Sequence, residues 1–335
     1  MSAPLNIAQA ARLVDKSFQN IWSKASTPEQ KFKKFFNFRT TTDYYEKDSG
    51  LSGLSEADFV DENGVVVADS PIQTYAKTYT QNQVDHLVSY TKRMWVFGIK
   101  KRDLNNVASE LKNAIVRKQE KLCAERLTNG WSTSYTHNGT ARSRSITVSG
   151  GDSVAAFSNA HTREDGGTNM NNEVYDGTTY NLPFDYPGVK AAYTTVAGFV
   201  DPRGNPMVPD LDTVVVKKNS PNHFKAKEIK KAIENNKIPE SNDNDGSGVS
   251  TFNIVDLDYL TQSGYWFMFD SSMMSGDTGD KYGFQFVQSQ DITLMPMNVV
   301  YKTSEIQFKA ESMFDLGFND LARMWVGSKG DSSAG

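Results

Sequence analysis

The chain has 335 residues and a formal charge of -4, with 40 acidic against 36 basic side chains, which argues against a general grip on nucleic acid. Hydrophobic residues make up only 38%, so a flat or extended shape with much surface is expected, and two lobes are the default for this length. The one cysteine, Cys123, rules out an intramolecular disulfide, and no apolar run of about 18 residues or basic-then-apolar leader is present; a soluble chain made in a reducing cytoplasm and not processed by secretion is expected.

Residues 5 to 22 read as an amphipathic helix through Leu5, Ala8, Ala11, Leu13, Val14, Phe18, Ile21 and Trp22. Thr27-Pro28-Glu29 opens a shorter one carrying Phe32, Phe35 and Phe36. An irregular arm follows, Asn37 to Val67, with aromatic points at Phe38, Tyr44, Tyr45 and Phe59. Aromatics in an irregular segment need a surface to dock on, and that surface can belong to another copy.

From Ile72 the chain alternates Gln73, Tyr75, Lys77 and Tyr79 against Thr74, Ala76, Thr78 and Thr80, the period of a strand. After a polar turn at Gln81-Asn82-Gln83, a second extended run is predicted from Val84 to Ile99, making a long hairpin. A two-stranded ribbon is marginal in water, so this one should lie on something else.

After Arg102 the period becomes helical: Leu104, Val107, Ala108, Leu111, Ile115 and Leu122 fall on one narrow stripe. Asp103 is the expected N-cap and Asn129-Gly130 a left-handed stop. Lys112, Arg117, Lys118, Glu120, Lys121, Glu125 and Arg126 are expected on an exposed back, so the helix reads as a strut along a sheet. Trp131 to Asp185 is polar and turn-rich, with breakers at Gly150-Gly151 and Gly166-Gly167. A helix from Gly188 ends at Asp201-Pro202, a buried strand runs from Asp212 to Val216, and Ser220-Pro221 opens a helix to Asn235. Further strands are predicted at Phe252 to Leu257, Tyr265 to Phe269 and Phe284 to Val287, around Ile306 to Phe314, and from Leu321 to Val326.

Chemical signatures are weak. Residues 241 to 252 mimic a calcium loop but put Phe252 where the bidentate glutamate belongs. His86, His137, His161 and His223 form no pair at metal spacing, and Gly276 to Gly283 lacks the order of a phosphate loop. His161 beside Asn159 and Arg163 reads as a hydrogen-bonded loop histidine rather than an acid-base catalyst, and Lys225, Lys227, Lys230 and Lys231 as a solvated helix face. No catalytic residue, cofactor or metal is therefore expected.

Five phrases in order carry a resemblance: Tyr75-Ala76-Lys77-Thr78-Tyr79; Phe157-Ser158-Asn159-Ala160-His161 with Gly166-Gly167-Thr168-Asn169; Asp201-Pro202-Arg203-Gly204-Asn205-Pro206 leading into Pro209 to Val216; Tyr265 to Asp270; and Gly317-Phe318-Asn319-Asp320 through Trp325-Val326-Gly327. Spanning residues 30 to 327, this chain resembles a tailed-phage major capsid protein of the Hong Kong 97 type, with Mu-like head subunits as its relatives. The resemblance implies an α+β fold with an N-terminal arm (1–68), an extended β-hairpin loop (69–100), a peripheral domain (101–184) with a spine helix at 103–129, an axial domain (185–290), and C-terminal strands (291–335) that return to the peripheral domain. It implies a non-enzymatic subunit that assembles with itself as hexamers and pentamers around double-stranded DNA without sequence-specific binding. A portal protein is a further partner, scaffold or decoration proteins are open, and no membrane is involved. Location would be the virion, assembled in the host bacterial cytoplasm.

The residues expected to clasp neighbours are Tyr75, Lys77, Tyr79, Lys92, Arg93 and Trp95 in the hairpin, with Phe32, Phe35, Phe36, Tyr44 and Tyr45 on the arm. Some relatives join a loop lysine to a neighbour's asparagine; Lys77 or Lys92 would be the donors here and Asn298 or Asn319 the acceptors. The alternatives are an encapsulin-type nanocompartment shell, which shares the fold but encloses an enzyme, and a small soluble hydrolase using His161.

Overall fold

The computed structural model of the protein describes residues 7–51, 54–57, 59–60, 64–66, 68–91, 93–94, 101–139, 142–235, 237, 249–274, 283–300, 302–319 and 325–331. The first helix, α1 (Ile7–Lys24), lies along the strut α2 (Lys101–Thr128), whose 28 residues give a length of about 42 Å. Between them a single 3-10 turn, Lys31–Lys34, carries the phenylalanines of the second predicted helix into the core.

Two sheets share the interior. The first is built on β10 (Gly283–Leu294) and β12 (Glu305–Asn319), antiparallel neighbours joined through β11 (Asn298–Val300). Strand β1 (Asn37–Thr40) adds to β10 in parallel. Strand β4 (Asn82–Tyr90) lines the opposite edge of β12, from Tyr90 across from Ile306 to Asn82 across from Phe314.

The second sheet has the order β13 (Trp325–Ser328), β9 (Trp266–Phe269), β7 (Thr213–Lys217), β8 (Asn253–Leu257). Its central strands β7 and β9 carry unbroken apolar runs, Val214–Val216 and Trp266–Phe269, because both faces are covered. Val215, Phe267, Phe269 and Trp325 enter one core, whereas Val214, Val216, Trp266 and Met268 enter the other beneath α3 (Tyr186–Val196) and α4 (Pro221–Glu234). Both helices start on side-chain caps. Asp185 Oδ1 accepts from the Gly188 amide at 2.7 Å, and Ser220 Oγ accepts from the His223 amide at 3.2 Å, with proline in the first turn of each. Helix α3 stops at Val196, short of the expected Asp201, and 3-10-like turns take the chain through Gly198 to Phe199.

The hairpin predicted from Ile72 to Ile99 is not formed by its described strands. Strand β3 (Lys77–Thr80) pairs with β2 (Tyr45–Asp48) in a separate two-stranded ribbon, and β4 pairs only with β12. The switch happens at Gln81, whose amide donates to Tyr44 O at 3.1 Å. Residues 93 and 94 are helical rather than extended, and Lys92 and residues 95 to 99 lie outside the described residues.

The strut also departs from its sequence reading. Its second half is buried beyond one stripe, through Val116, Gln119, Cys123, Ala124, Arg126 and Leu127. Several polar side chains expected on an exposed back act as internal caps. Lys112 Nζ donates to Trp22 O at 2.9 Å and Ala25 O at 2.7 Å, closing the negative end of α1, and Glu120 Oε1 accepts from the Lys31 amide at 2.5 Å. Neither Asn129 nor Gly130 is left-handed. Gly130 is required for another reason: a Cβ there would stand 2.5 Å from the Phe157 ring, and one on Gly327 would meet the opposite edge of that ring, also at 2.5 Å.

Gly130→Ala and Gly327→Ala should each lower the unfolding free energy of the isolated protein by about 1–3 kcal/mol in urea titrations, as overpacking does. Combining either with Phe157→Leu should recover part of that loss, because the same ring is the obstacle in both cases.

Candidate assembly surface

The two ends of the β2–β3 ribbon have opposite characters. At its root several groups are tied to the body of the chain. Arg39 on β1 holds Glu46 and, at 2.9 Å, Asp48. Lys77 Nζ donates to Ser149 O at 2.5 Å, the Tyr75 amide donates to Glu164 Oε1 at 3.1 Å, and the Thr80 amide donates to Asp315 Oδ2 at 2.9 Å. Tyr79 is fully buried against Gly317, where a Cβ would come within 2.7 Å of its ring. Pairing runs outward through the Leu51–Gln73 bridge, with Thr74 N to Gly50 O at 3.0 Å and Gly50 N to Thr74 Oγ1 at 2.9 Å.

Beyond that bridge the character reverses. Leu51, Leu54, Phe59, Val60, Val65 and Val66 are all exposed, Phe59 completely so. Several large apolar side chains left in water along one segment mark a candidate interaction site. From Asp48 to Ala76 the segment carries six acidic residues and no lysine or arginine. Among the described residues one ion pair holds the tip: Arg203 Nη1 lies 2.9 Å from Asp69 Oδ1, and Arg203 Nη2 donates to Ser70 O. Hydrogen bonds from the Ser55 amide and hydroxyl, with those from the Ser70 amide and Arg203, pull the Asp69 carboxyl down to about 2. A depressed carboxylate contributes above its unfolded value, so this tie is present at neutral pH and fades only as pH falls from about 4 towards 2.

The residues expected to clasp neighbours divide accordingly. Phe32, Phe35, Phe36 and Tyr79 are at most 1% exposed and belong to the chain's own core, so their rings are not available to a neighbour. Tyr75 and Lys77 are half-buried at the ribbon root. Tyr44 and Tyr45 are 58% and 65% exposed and stack edge to face on each other at 4.6 Å, beside the ribbon. Arg93 is exposed; Lys92 and Trp95 lie outside the described residues. The tip's aliphatic residues were not singled out from sequence, where the available signal was their spacing among acids without the period of a helix or a buried strand.

The sites considered for catalysis are closed or absent. His161 is completely buried, its Nδ1 2.8 Å from Asp152 Oδ2 and its backbone paired with Met170, so the imidazole faces no solvent. Among the described residues no group of three His, Cys, Asp or Glu side chains is placed to hold a metal. No helix among them is long and apolar enough to cross a membrane. Of the cross-link candidates, Lys77 is engaged by Ser149, while Asn298 lies exposed on β11 with its amide 3.3 Å from Gln307 Oε1.

No protein-family model matches the chain, and no curated protein does. Solved structures do. The capsid of an empty GTA particle is 8% identical with a TM-score of 0.52, covering 97% of this chain and 99% of its own. The capsid of the cyanophage P-SCSP1u is 10% identical with a TM-score of 0.52, covering 91% and 89%. A chain of Microbacterium phage Oxtober96 is 10% identical with a TM-score of 0.50, covering 97% and 99%. What is shared at such low identity is the fold: a mixed α+β capsid-subunit fold, over nearly the whole chain.

Arg203→Ala should release the ribbon tip without unfolding the subunit. Among the described residues one exposed ion pair ties the tip, and such a pair contributes little, so its open population should rise by no more than about fivefold. Limited proteolysis of the unassembled protein should show faster cleavage between residues 50 and 72, with an unchanged urea midpoint.

Proposed function

We propose that this chain is the major head subunit of a tailed phage, a non-enzymatic protein of the Hong Kong 97 type that assembles into an icosahedral shell around double-stranded DNA. The observation that carries this reading is a capsid-subunit fold over nearly the entire chain, combined with a ribbon whose root is locked to its own body and whose apolar tip is left uncovered. A tip of that kind gains stability only by burial, and in a closed lattice each copy offers the covering surface to the next.

The ribbon at residues 45–51 and 73–80 takes the role first expected of residues 69–100, with Tyr44 and Tyr45 beside it as further contacts. Strut and first sheet form the rigid peripheral body, and the second sheet with α3 and α4 forms the lobe that meets its equivalents around the five-fold and six-fold axes. Shell copies, a portal protein and packaged DNA are the partners of this reading, and the virion, assembled in the host cytoplasm, is the location. Repetition around a closed lattice turns weak contacts into a cooperative one, since each copy's ordering is coupled to its neighbours'.

Purified protein at assembly concentration should sediment as megadalton particles, seen as closed shells by electron microscopy; a small oligomer at every concentration would refute the proposal. Replacing Phe59, Val65 and Val66 together by serine should raise the critical concentration for assembly at least about tenfold, the equivalent of burying one or two apolar side chains. The urea midpoint of the unassembled subunit should not change, because these side chains are already in water.

A further inference from the structure

One cleft inverts the sign of this acidic chain. It is a cavity of about 390 Å³ between α2, β3, β4, the far end of β12, and the hairpin formed by β5 (Ser134–Asn138) and β6 (Ser143–Thr147). Lys77, Lys118, Arg126, Arg142 and Arg144 line it, with His137, and the only carboxylate among the lining residues is Asp315.

The cations are held in two different ways. Lys77 donates to the Ser149 carbonyl, and the buried Arg126 donates to the Thr147 carbonyl; both oxygens are neutral. Asp315 lies 4.0 Å from Arg126 Nη2 but already accepts from the Thr80 amide at 2.9 Å and from Asn82 Nδ2 at 3.1 Å. Lys118 Nζ meets His137 Nε2, and the far nitrogen of that ring is held by Glu125 Oε2 at 2.5 Å. Arg142 and Arg144 are exposed on the hairpin and pair with no acid among the described residues. Five positive side chains around one small cavity repel each other, and the engaged Asp315, with Glu125 behind His137 acting on Lys118, leaves cations in excess of carboxylates. A multivalent anion does, and the donors present, guanidinium forks and ammonium groups, are those that bind phosphoryl oxygens with charge-assisted hydrogen bonds.

We infer that this cleft binds phosphate-bearing anions, with Arg142 and Arg144 closing on phosphoryl oxygens against a wall formed by Lys77, Lys118 and Arg126. Charge density favours phosphate over an acidic peptide. A diphosphate concentrates its charge within one cleft, whereas carboxylates on the same face of an extended chain stand about 6.6 Å apart. The ligand is either a free polyphosphate or nucleotide, or the phosphodiester backbone of nucleic acid, and the inference holds whether or not the protein builds a shell.

The test is calorimetric titration of the full-length, unassembled subunit with inorganic pyrophosphate at about 0.1 M salt, where long-range screening leaves close contacts intact. Saturable binding is expected, weakened about tenfold by Arg144→Gln and about a hundredfold by Arg142→Gln with Arg144→Gln, one charge-assisted hydrogen bond per tenfold. Both side chains are exposed, so circular dichroism should show the fold intact; should the double variant misfold, the single one decides. A short duplex DNA that competes with pyrophosphate and suffers the same losses identifies nucleic acid as the source, and pyrophosphate binding without competition identifies a free phosphate. Three results overturn the inference: no saturable binding, equal binding by the variants, or a peptide of residues 51–69 that displaces pyrophosphate and binds more tightly, which would reassign the cleft to the ribbon of a second copy.

Discussion

The arrangement of the molecule depends on aromatic packing around Phe284. Its ring lies 5.2 Å from Trp325, 5.3 Å from Phe36, 5.7 Å from Phe269, 5.8 Å from Phe318 and 6.2 Å from Phe157. Those five neighbours come from the N-terminal turn, both sheets, the C-terminal strand and the loop after the strut. A single ring therefore holds together segments that are far apart in sequence. Aromatic side chains suit this task because each buries a large apolar area and its edge-to-face contacts fix orientation. Phe157 extends the cluster, stacked on Trp131 at 4.7 Å and confined at its two edges by Gly130 and Gly327. With those edges closed, the end of the strut and the last strand of the second sheet are held to one spacing.

Charged groups near this core act mainly as fasteners for backbone. Lys112 closes the end of α1, Glu120 holds the Lys31–Phe32 turn, Arg126 reaches the Thr147 carbonyl, and Arg39 binds the ribbon to the first sheet. Such bonds matter because an unsatisfied buried backbone group is costly, whereas a pair of charges on the surface contributes little. The ribbon shows the consequence. Four separate anchors fix its root, whereas past the Leu51–Gln73 bridge Arg203 is the cation that ties Asp69 and Ser70 among the described residues. In the proposed assembly, a rigid root with an uncovered tip would let the chain fold alone and still present a preformed surface to another copy, so that association need not also order the root.

Much of the local structure was legible from sequence, because it follows from period and capping. The strut, the first helix, the helix after Ser220-Pro221 and the doubly covered strands at 213–217 and 266–269 are in place. The ribbon failed for a definite reason. A period of two says which residues share a face of a strand, but it carries no information about whose edge that strand will bond. Residues 77–80 and 84–90 were correctly read as extended, while Asn82 and Gln83, expected in a turn, already belong to β4; yet β3 bonds 45–48 and β4 bonds 306–314, partners set by long-range packing.

The same division holds for individual side chains. By itself the sequence determined that Phe32, Phe35, Phe36 and Tyr79 need apolar cover, that no disulfide forms within these 335 residues, and that their charge is slightly negative. Only the tertiary structure decided that the cover is the chain's own core, that Gly130 makes room for a ring rather than ending a helix, and that basic residues between positions 77 and 144 converge on one cleft. The physical reason is that hydrophobicity and charge belong to a residue, whereas burial and local field belong to the set of neighbours that the fold brings to it.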